Sequence, residues 1–255
     1  MISLEIVHEL DRARREHRPI DPPAGLSGLA LGAAYDMQDR LVALREGAGE
    51  QRTGWKLGIT STVKQRSMGI ETPVYGRTFG EAAFVSNASV ARDGFIAPRC
   101  EPEIAFGLLG ALDPLADRAG LLEMVAWLAP ALEITDSRYA SGTRTAVELI
   151  ADNTSGGGYV VGTWIDRAGV PDLTTMTTTL ARNGETLARG STGDVLGDPV
   201  HALALLATHL AARGLSTRAG DIVLSGAITE AFPVAAGDIV EARITGLGDV
   251  RVAFV

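Results

Sequence analysis

The chain has 255 residues, 46% hydrophobic and 21% charged, enough to bury the core of one large domain or of a main domain with a small appendage. A formal net charge of −8, with basic residues scattered along the chain, argues against a nucleic-acid surface. A single cysteine, Cys100, excludes an internal disulfide and a cysteine-rich metal site. There is no long uncharged apolar run or secretory leader, so a soluble cytoplasmic protein without membrane partners is expected.

Residues 3–17 have the period of an amphipathic helix, with Ser3 as candidate N-cap and Leu4, Val7 and Leu10 on one stripe. Pro19, Pro22, Pro23 and Gly25 break the chain before a second helix over 29–46. Tyr35, Met37, Leu41 and Leu44 form its apolar side, and Gly47 and Gly49 end it. The two helices define an N-terminal helical region, 1–50, with no evident chemistry; a β-rich domain is expected over 51–255. There Trp55, Leu57 and Ile59 alternate with Lys56, Gly58 and Thr60, a strand period. Lys56 therefore lies on a face flanked by Gly54 and Gly58, with empty space on either side for a ligand. Residues 68–76, punctuated by glycine and proline, read as a long loop, a common home for binding residues.

The stretch Glu101-Pro-Glu-Ile-Ala-Phe106 reads as a strand with Glu101 and Glu103 on one face and Ile104, Phe106 and Leu108 on the other. Two like charges side by side repel, and a cation is one remedy. A solvated edge strand is the other, because Pro102 cannot donate to a ladder. Residues 117–128 are expected to form a short helix with Leu121, Leu122, Val125 and Leu128 inward, running to Pro130. Residues 131–136 alternate again, placing Glu133 and Thr135 opposite Leu132 and Ile134. The glycine-rich 152–158 lacks the spacing of a phosphate loop and reads as a flexible turn. Asn183-Gly184 predicts a hairpin between 174–182 and 185–189. Asp198-Pro199 starts a helix that runs through Arg213 to Gly214, and short strands follow at 222–224, 240–244 and 250–254. Helices early and strands late favour an α+β architecture.

The negatives narrow the chemistry. His8, His17, His201 and His209 have no zinc-site setting, and no G-x-S-x-G elbow is present. Cys100 faces away from Glu101 and is expected to be a buried spectator. What remains is an all-oxygen group, Glu101, Glu103 and Glu133, whose donors suit Mg²⁺ or Mn²⁺. Such an ion keeps positions open for a bidentate 2-oxo acid and acts as a Lewis acid toward its enolate, with Lys56 placed to move a proton.

Taken together, the motifs Gly54-Trp-Lys-Leu-Gly-Ile-Thr-Ser61, Met68-Gly-Ile-Glu-Thr-Pro-Val-Tyr-Gly76, Glu101-Pro-Glu103, Pro130-Ala-Leu-Glu-Ile-Thr-Asp-Ser-Arg-Tyr139, Ala151-Asp-Asn153 and Leu224-Ser-Gly-Ala-Ile-Thr229 resemble one family. It is the 2-keto-4-pentenoate hydratase / 4-oxalocrotonate decarboxylase family, within the fumarylacetoacetate hydrolase superfamily, and the likeness extends to Ala34-Tyr-Asp-Met-Gln38. The resemblance implies mixed β-sheets rolled into a barrel-like core, a small helical N-terminal region and a homo-oligomer. It also implies a Mg²⁺ or Mn²⁺ site on Glu101, Glu103 and Glu133, with the family's active-site lysine at Lys56. Leu57, Thr60, Val74, Tyr75, Arg138, Asp152, Ser155 and Thr229 are the expected substrate-binding residues. Thr154 and Gly156 depart from the Ala-Ser-Ser that usually follows Asp-Asn.

Hydratases of the family typically carry Pro-Asp-Phe/Tyr-Gly where this chain has Pro73-Val-Tyr-Gly76. An apolar Val74, with Asp136-Ser-Arg-Tyr139, favours the decarboxylase branch acting on a 2-oxo-3-enedioate through a metal-stabilised dienolate. The alternative is hydration of 2-hydroxypenta-2,4-dienoate; a further one is a C–C hydrolase or oxaloacetate decarboxylase of the superfamily. Arg138 is expected either to recognise a distal carboxylate or to form a structural salt bridge. A complex with a partner lyase of the same pathway is a further expectation.

Overall fold

The computed structural model describes residues 4–143, 145–170 and 172–255, so the candidate N-cap Ser3 lies outside the described residues. Helices α1 (Leu4–Glu16) and α2 (Leu31–Gly47) are followed by β1 (Arg52–Gly58), α3 (Thr62–Met68), β2 (Val74–Phe79), β3 (Ala83–Val85), β4 (Ala88–Val90) and β5 (Arg99–Leu108). Next come α4 (Arg118–Glu123), β6 (Val125–Thr135), α5 (Ala146–Ala151), β7 (Gly156–Val161), β8 (Ile165–Asp166), β9 (Thr177–Arg182) and β10 (Glu185–Ser191). The chain ends with α6 (Val200–Ala212), β11 (Ile222–Leu224), β12 (Phe232–Pro233), β13 (Ile239–Ile244) and β14 (Gly248–Phe254).

The strands form two mixed sheets. A nine-stranded sheet runs β2-β1-β11-β5-β6-β7-β3, with β12 also on β5 and β8 also on β6. A five-stranded sheet runs β10-β9-β13-β14-β4. The fold is α+β, and no ladder joins β2 to β3, so among the described residues the larger sheet is open. One face of it packs on the helices: Val7, Leu10, Tyr35 and Met37 share a core with Trp55, Phe106, Leu128 and Leu206. The same face continues into the space between the sheets, where Cys100, Leu132 and Ile134 meet Leu180, Val252 and Phe254. The opposite face carries Ala105, Ala129, Ala131 and Leu224, small enough to leave room beside longer side chains. Among the described residues no helix is long and apolar enough to cross a membrane.

Local rules explain much of this. Asn183 and Gly184 take φ of 53° and 82°, the left-handed pair that a two-residue hairpin turn requires. Asp198 Oδ1 accepts from Val200 N at 2.9 Å, starting α6. The α1 stripe begins one turn later than expected: Val7, Leu10 and Ala13 are buried, whereas Leu4 is 54% exposed.

Three expectations are corrected. Residues 125–128 extend β6 rather than α4, because they pair with Leu108–Phe106 of β5, and tertiary pairing overrides local helical period. Pro130 lies inside β6, where its carbonyl accepts from Gly162 N at 2.8 Å just beyond the β6–β7 ladder. The stretch 68–76 is loop only over 69–73, and Gly156, Gly157 and Gly158 belong to β7, paired to β6.

Candidate metal centre

Strands β5 and β6 pair with Glu101 opposite Glu133 and Glu103 opposite Ala131. Alternation then turns all three carboxylates to the alanine-lined face, where one oxygen from each lies within 4.8 Å of the others. Pro102 is neither at an edge nor in a bulge. On its other side β11 pairs with residues 105–107 and β12 with 99–100, leaving a gap across which Ile228 N donates to the Pro102 carbonyl at 2.9 Å. The proline nitrogen faces that gap, where no ladder bond is lost.

Burial makes the group costly without a cation. Glu103 and Glu133 are 0% and 1% exposed, and Glu101 is 9% exposed. Gly226 N donates to Glu103 Oε2 at 2.8 Å, but Glu103 Oε1 and Glu133 Oε2 have no hydrogen-bond donor, and Glu133 Oε1 has only the Lys56 ammonium at 2.8 Å. Burial pushes the Glu101 carboxyl up to about 7, with Glu133 adding to the rise and Lys56 opposing it. Glu103 is held well above the ordinary carboxylate range by burial, then by Glu133 and Glu101. Glu133 is raised by burial, against the pull of Lys56. Three buried, mutually repelling carboxylates with two oxygens left without a donor fit a hard divalent cation.

Lys56 projects from β1 toward this group. It is 2% exposed, with Nζ 2.8 Å from Glu133 Oε1 and donating to the Thr154 carbonyl at 2.9 Å. The space beside it is not empty, contrary to expectation. A Cβ on Gly54 would lie 1.9 Å from the Ile222 carbonyl oxygen, and one on Gly58 2.8 Å from Thr154 Cγ2. The glycines let β11 and the 153–155 turn close in and hold the lysine, so their role is close approach rather than vacancy.

That turn has three consecutive non-glycine residues in the left-handed region: Asn153, Thr154 and Ser155, with φ of 48°, 54° and 52°. Asn153 pins it to β2, accepting from Arg77 N and donating to the Arg77 carbonyl, both at 2.8 Å. Helix α2 supports β2 in turn, with Gln38 donating to the Tyr75 and Ile150 carbonyls.

A cavity of about 500 Å³ opens over Glu101 and Lys56. Thr60 and Ser155 line it, together with Ser137, Tyr139 and Thr154. The buried Tyr139 Oη and Thr154 Oγ1 have no partner among the described residues. The other expected substrate residues are placed elsewhere. Leu57, Val74 and Tyr75 border a separate cavity against α6; Leu57 and Tyr75 sit on the reverse face of β1 and β2, whereas Val74, opposite Gly58, shares the face of Lys56 and is buried beside Gly58. Arg138 and Asp152 are spent on each other, with Arg138 also donating to the Asp152 and Gly156 carbonyls. Thr229 lies against Gly190 and donates to the Glu230 carbonyl. Sequence reasoning missed the Thr154 carbonyl, the Gly226 N–H and Arg99. The last was within reach: Arg99 is two residues before Glu101, on the same face.

Known proteins show the same framework. The fumarylacetoacetate (FAA) hydrolase C-terminal family pattern matches residues 57–255. The chain is 37% identical over 227 residues to the TodF product hydratase of Pseudomonas putida strain F1, covering 88% of this chain and 84% of that one. It is 33% identical over 228 residues to the 4-oxalocrotonate decarboxylase of Pseudomonas sp. strain CF600, covering 89% and 86%. The solved 4-oxalocrotonate decarboxylase of Pseudomonas putida G7 superposes with a TM-score of 0.93 at 30% identity over 99% of this chain and 97% of that one. Matched across the strands that bear the acids and by relatives of nearly its own length, the chain belongs to the fumarylacetoacetate hydrolase C-terminal family.

Proposed function

We propose that this protein is a metal-dependent lyase of unsaturated 2-oxo acids that decarboxylates a 2-oxo-3-enedioate. The observation that carries the reading is the buried Glu101–Glu103–Glu133 group beside Lys56, with Glu101 and Lys56 lining one cavity. These three glutamates would hold Mg²⁺ or Mn²⁺; the related G7 decarboxylase was solved with magnesium and adipate. When bound, the ion supplies Lewis acidity toward the carboxylate and 2-oxo oxygens of a chelating substrate.

The chain's own residues supply the rest. Lys56, fixed by Glu133 and the Thr154 carbonyl, holds or delivers a proton at Nζ toward the substrate carbon above it. Tyr139 Oη and Thr154 Oγ1 offer unused hydrogen-bonding capacity along the cavity. Ile59, Leu149 and Val234 form an apolar strip in a lining otherwise rich in hydroxyls and cations, and that strip supports the decarboxylase reading by keeping water from part of the substrate. No histidine lines this cavity among the described residues, which weighs against a histidine-activated C–C hydrolase.

The second reading is a hydratase acting on 2-hydroxypenta-2,4-dienoate, favoured by the 37% identity to a hydratase. Purified protein with Mg²⁺ is expected to release CO₂ from 2-oxohex-3-enedioate; consumption of 2-hydroxypenta-2,4-dienoate alone would replace the decarboxylase reading with the hydratase.

We further propose a helical region over 1–50 before a catalytic β-rich region over 51–255, and a barrel-like roll of the larger sheet. The Tyr159 Oη–Thr53 Oγ1 bond of 3.0 Å, which draws β7 toward β1, supports the roll. Homo-oligomerisation, a partner lyase and a cytoplasmic setting are proposed on the family likeness.

A further inference from the structure

The chain's 23 basic residues include only two lysines, Lys56 and Lys64, and both line the cavity over Glu101. Arg92 and Arg99 join them, whereas Glu101 is the only acid in the lining among the described residues. A chain of net charge −8 has thus gathered positive charge at one opening. The four cations are not equivalent. Lys56 is held by Glu133, and Arg92 is spent on the Phe95 and Ile96 carbonyls. Lys64 on α3 and Arg99 on β5 make no direct ion pair among the described residues, although both act on the Glu101 carboxylate from a distance; Arg99 gives one N–H to the Ala231 carbonyl. Both are exposed at the mouth.

The position of Arg99 sets a length. It lies two residues before Glu101 on the same face of β5, opposite Thr135, just as Glu101 lies opposite Glu133. Two strand residues span about 7 Å, the reach of a short-chain diacid whose other end lies at the glutamate group. A guanidinium beside a flexible ammonium is the donor set that recognises a carboxylate.

We propose that Lys64 and Arg99 form a second-carboxylate subsite that makes this cavity selective for dianionic 2-oxo acids over monoanionic ones. The subsite rests on the reading of the cavity as the substrate site and takes over the distal role that Arg138, bound to Asp152, cannot fill.

The test separates binding from turnover. Mg²⁺-loaded protein is titrated calorimetrically with adipate and with hexanoate, for wild type, K64Q, R99Q and K64Q/R99Q. Wild type is expected to bind adipate at least about tenfold tighter than hexanoate, since one charged hydrogen-bonding end is lost in the monoacid. The double variant should bring the two acids within about twofold and each single variant should fall between; because both cations act on Glu101, Mg²⁺ is titrated without acid for every variant and the acids are compared at saturating Mg²⁺. An adipate-to-hexanoate ratio that is the same in wild type and all variants overturns the subsite. CO₂ release from 2-oxohex-3-enedioate, followed in parallel, keeps the failures apart. Release with an unaltered ratio removes the subsite and leaves the decarboxylase, whereas a ratio lost in the variants without release by wild type keeps the subsite and removes the decarboxylase.

Discussion

Arg138–Asp152 and Lys56–Glu133 are both buried pairs of opposite charge, each with its cation and acid at most 4% exposed. They differ in what surrounds the acid. Asp152 Oδ1 accepts from Arg138 Nε, and Oδ2 accepts from Arg138 N and from Ser155 Oγ, each at 3.2 Å. Its cation is equally satisfied by two backbone carbonyls. Glu133 has Lys56 at 2.8 Å from Oε1, no donor on Oε2, and two further acids beside it. Between these two pairs, burial and charge are alike and completeness of hydrogen bonding is what differs.

The largest effect is expected at the unsaturated group. Glu103→Gln keeps an oxygen for the Gly226 N–H, yet should lower kcat/KM with Mg²⁺ by about 10³-fold. The melting temperature in EDTA should hold or rise, because one repelling charge is gone. A fall in melting temperature with activity retained would erase the contrast. Arg138→Met should do the reverse, costing about 3–5 kcal/mol in urea unfolding by leaving Asp152 buried without its cation. Its KM should change far less than its stability.

The pH dependence sharpens the same contrast. Glu101 titrates near 7 in the folded metal-free protein, above its unfolded value, so the folded state binds more protons between roughly 4.5 and 7. Metal-free stability should therefore fall as pH rises through that window, and Mg²⁺ affinity should weaken as pH drops below 7. Urea melts in EDTA and Mg²⁺ titrations from pH 6 to 8 read the two slopes; slopes of the same sign would contradict the assignment. The smallest effect is expected for Ser155→Ala, which removes one of the bonds to Asp152 and should cost about 1 kcal/mol.

The period of two residues per strand repeat made Glu101, Glu103 and Glu133 legible, since side-chain facing on a strand is a local property. Lys56 was legible for the same reason. Pairing was not. Arg138 and Asp152 are 14 residues apart, and nothing local says that they consume each other. Nor does anything local say that Val74, opposite Gly58 on the face of Lys56, is buried rather than lining the cavity over Glu101. The glycines of β7 read as a flexible turn, whereas a Cβ on Gly157 would strike Asp136 and the Ile134 backbone, neighbours that only the folded sheet brings there. The apolar run 121–128 satisfied a helix and a strand alike, and β5 decided between them at Val125.

The left-handed turn at Asn153–Ser155 carries a consequence for how Lys56 is held. Non-glycine residues resist that conformation, so the turn leans on the two bonds between Asn153 and the Arg77 backbone of β2. The Thr154 carbonyl that receives Lys56 is therefore fixed by a contact between segments 76 residues apart. A change in β2 that never touches the lysine can still unseat it.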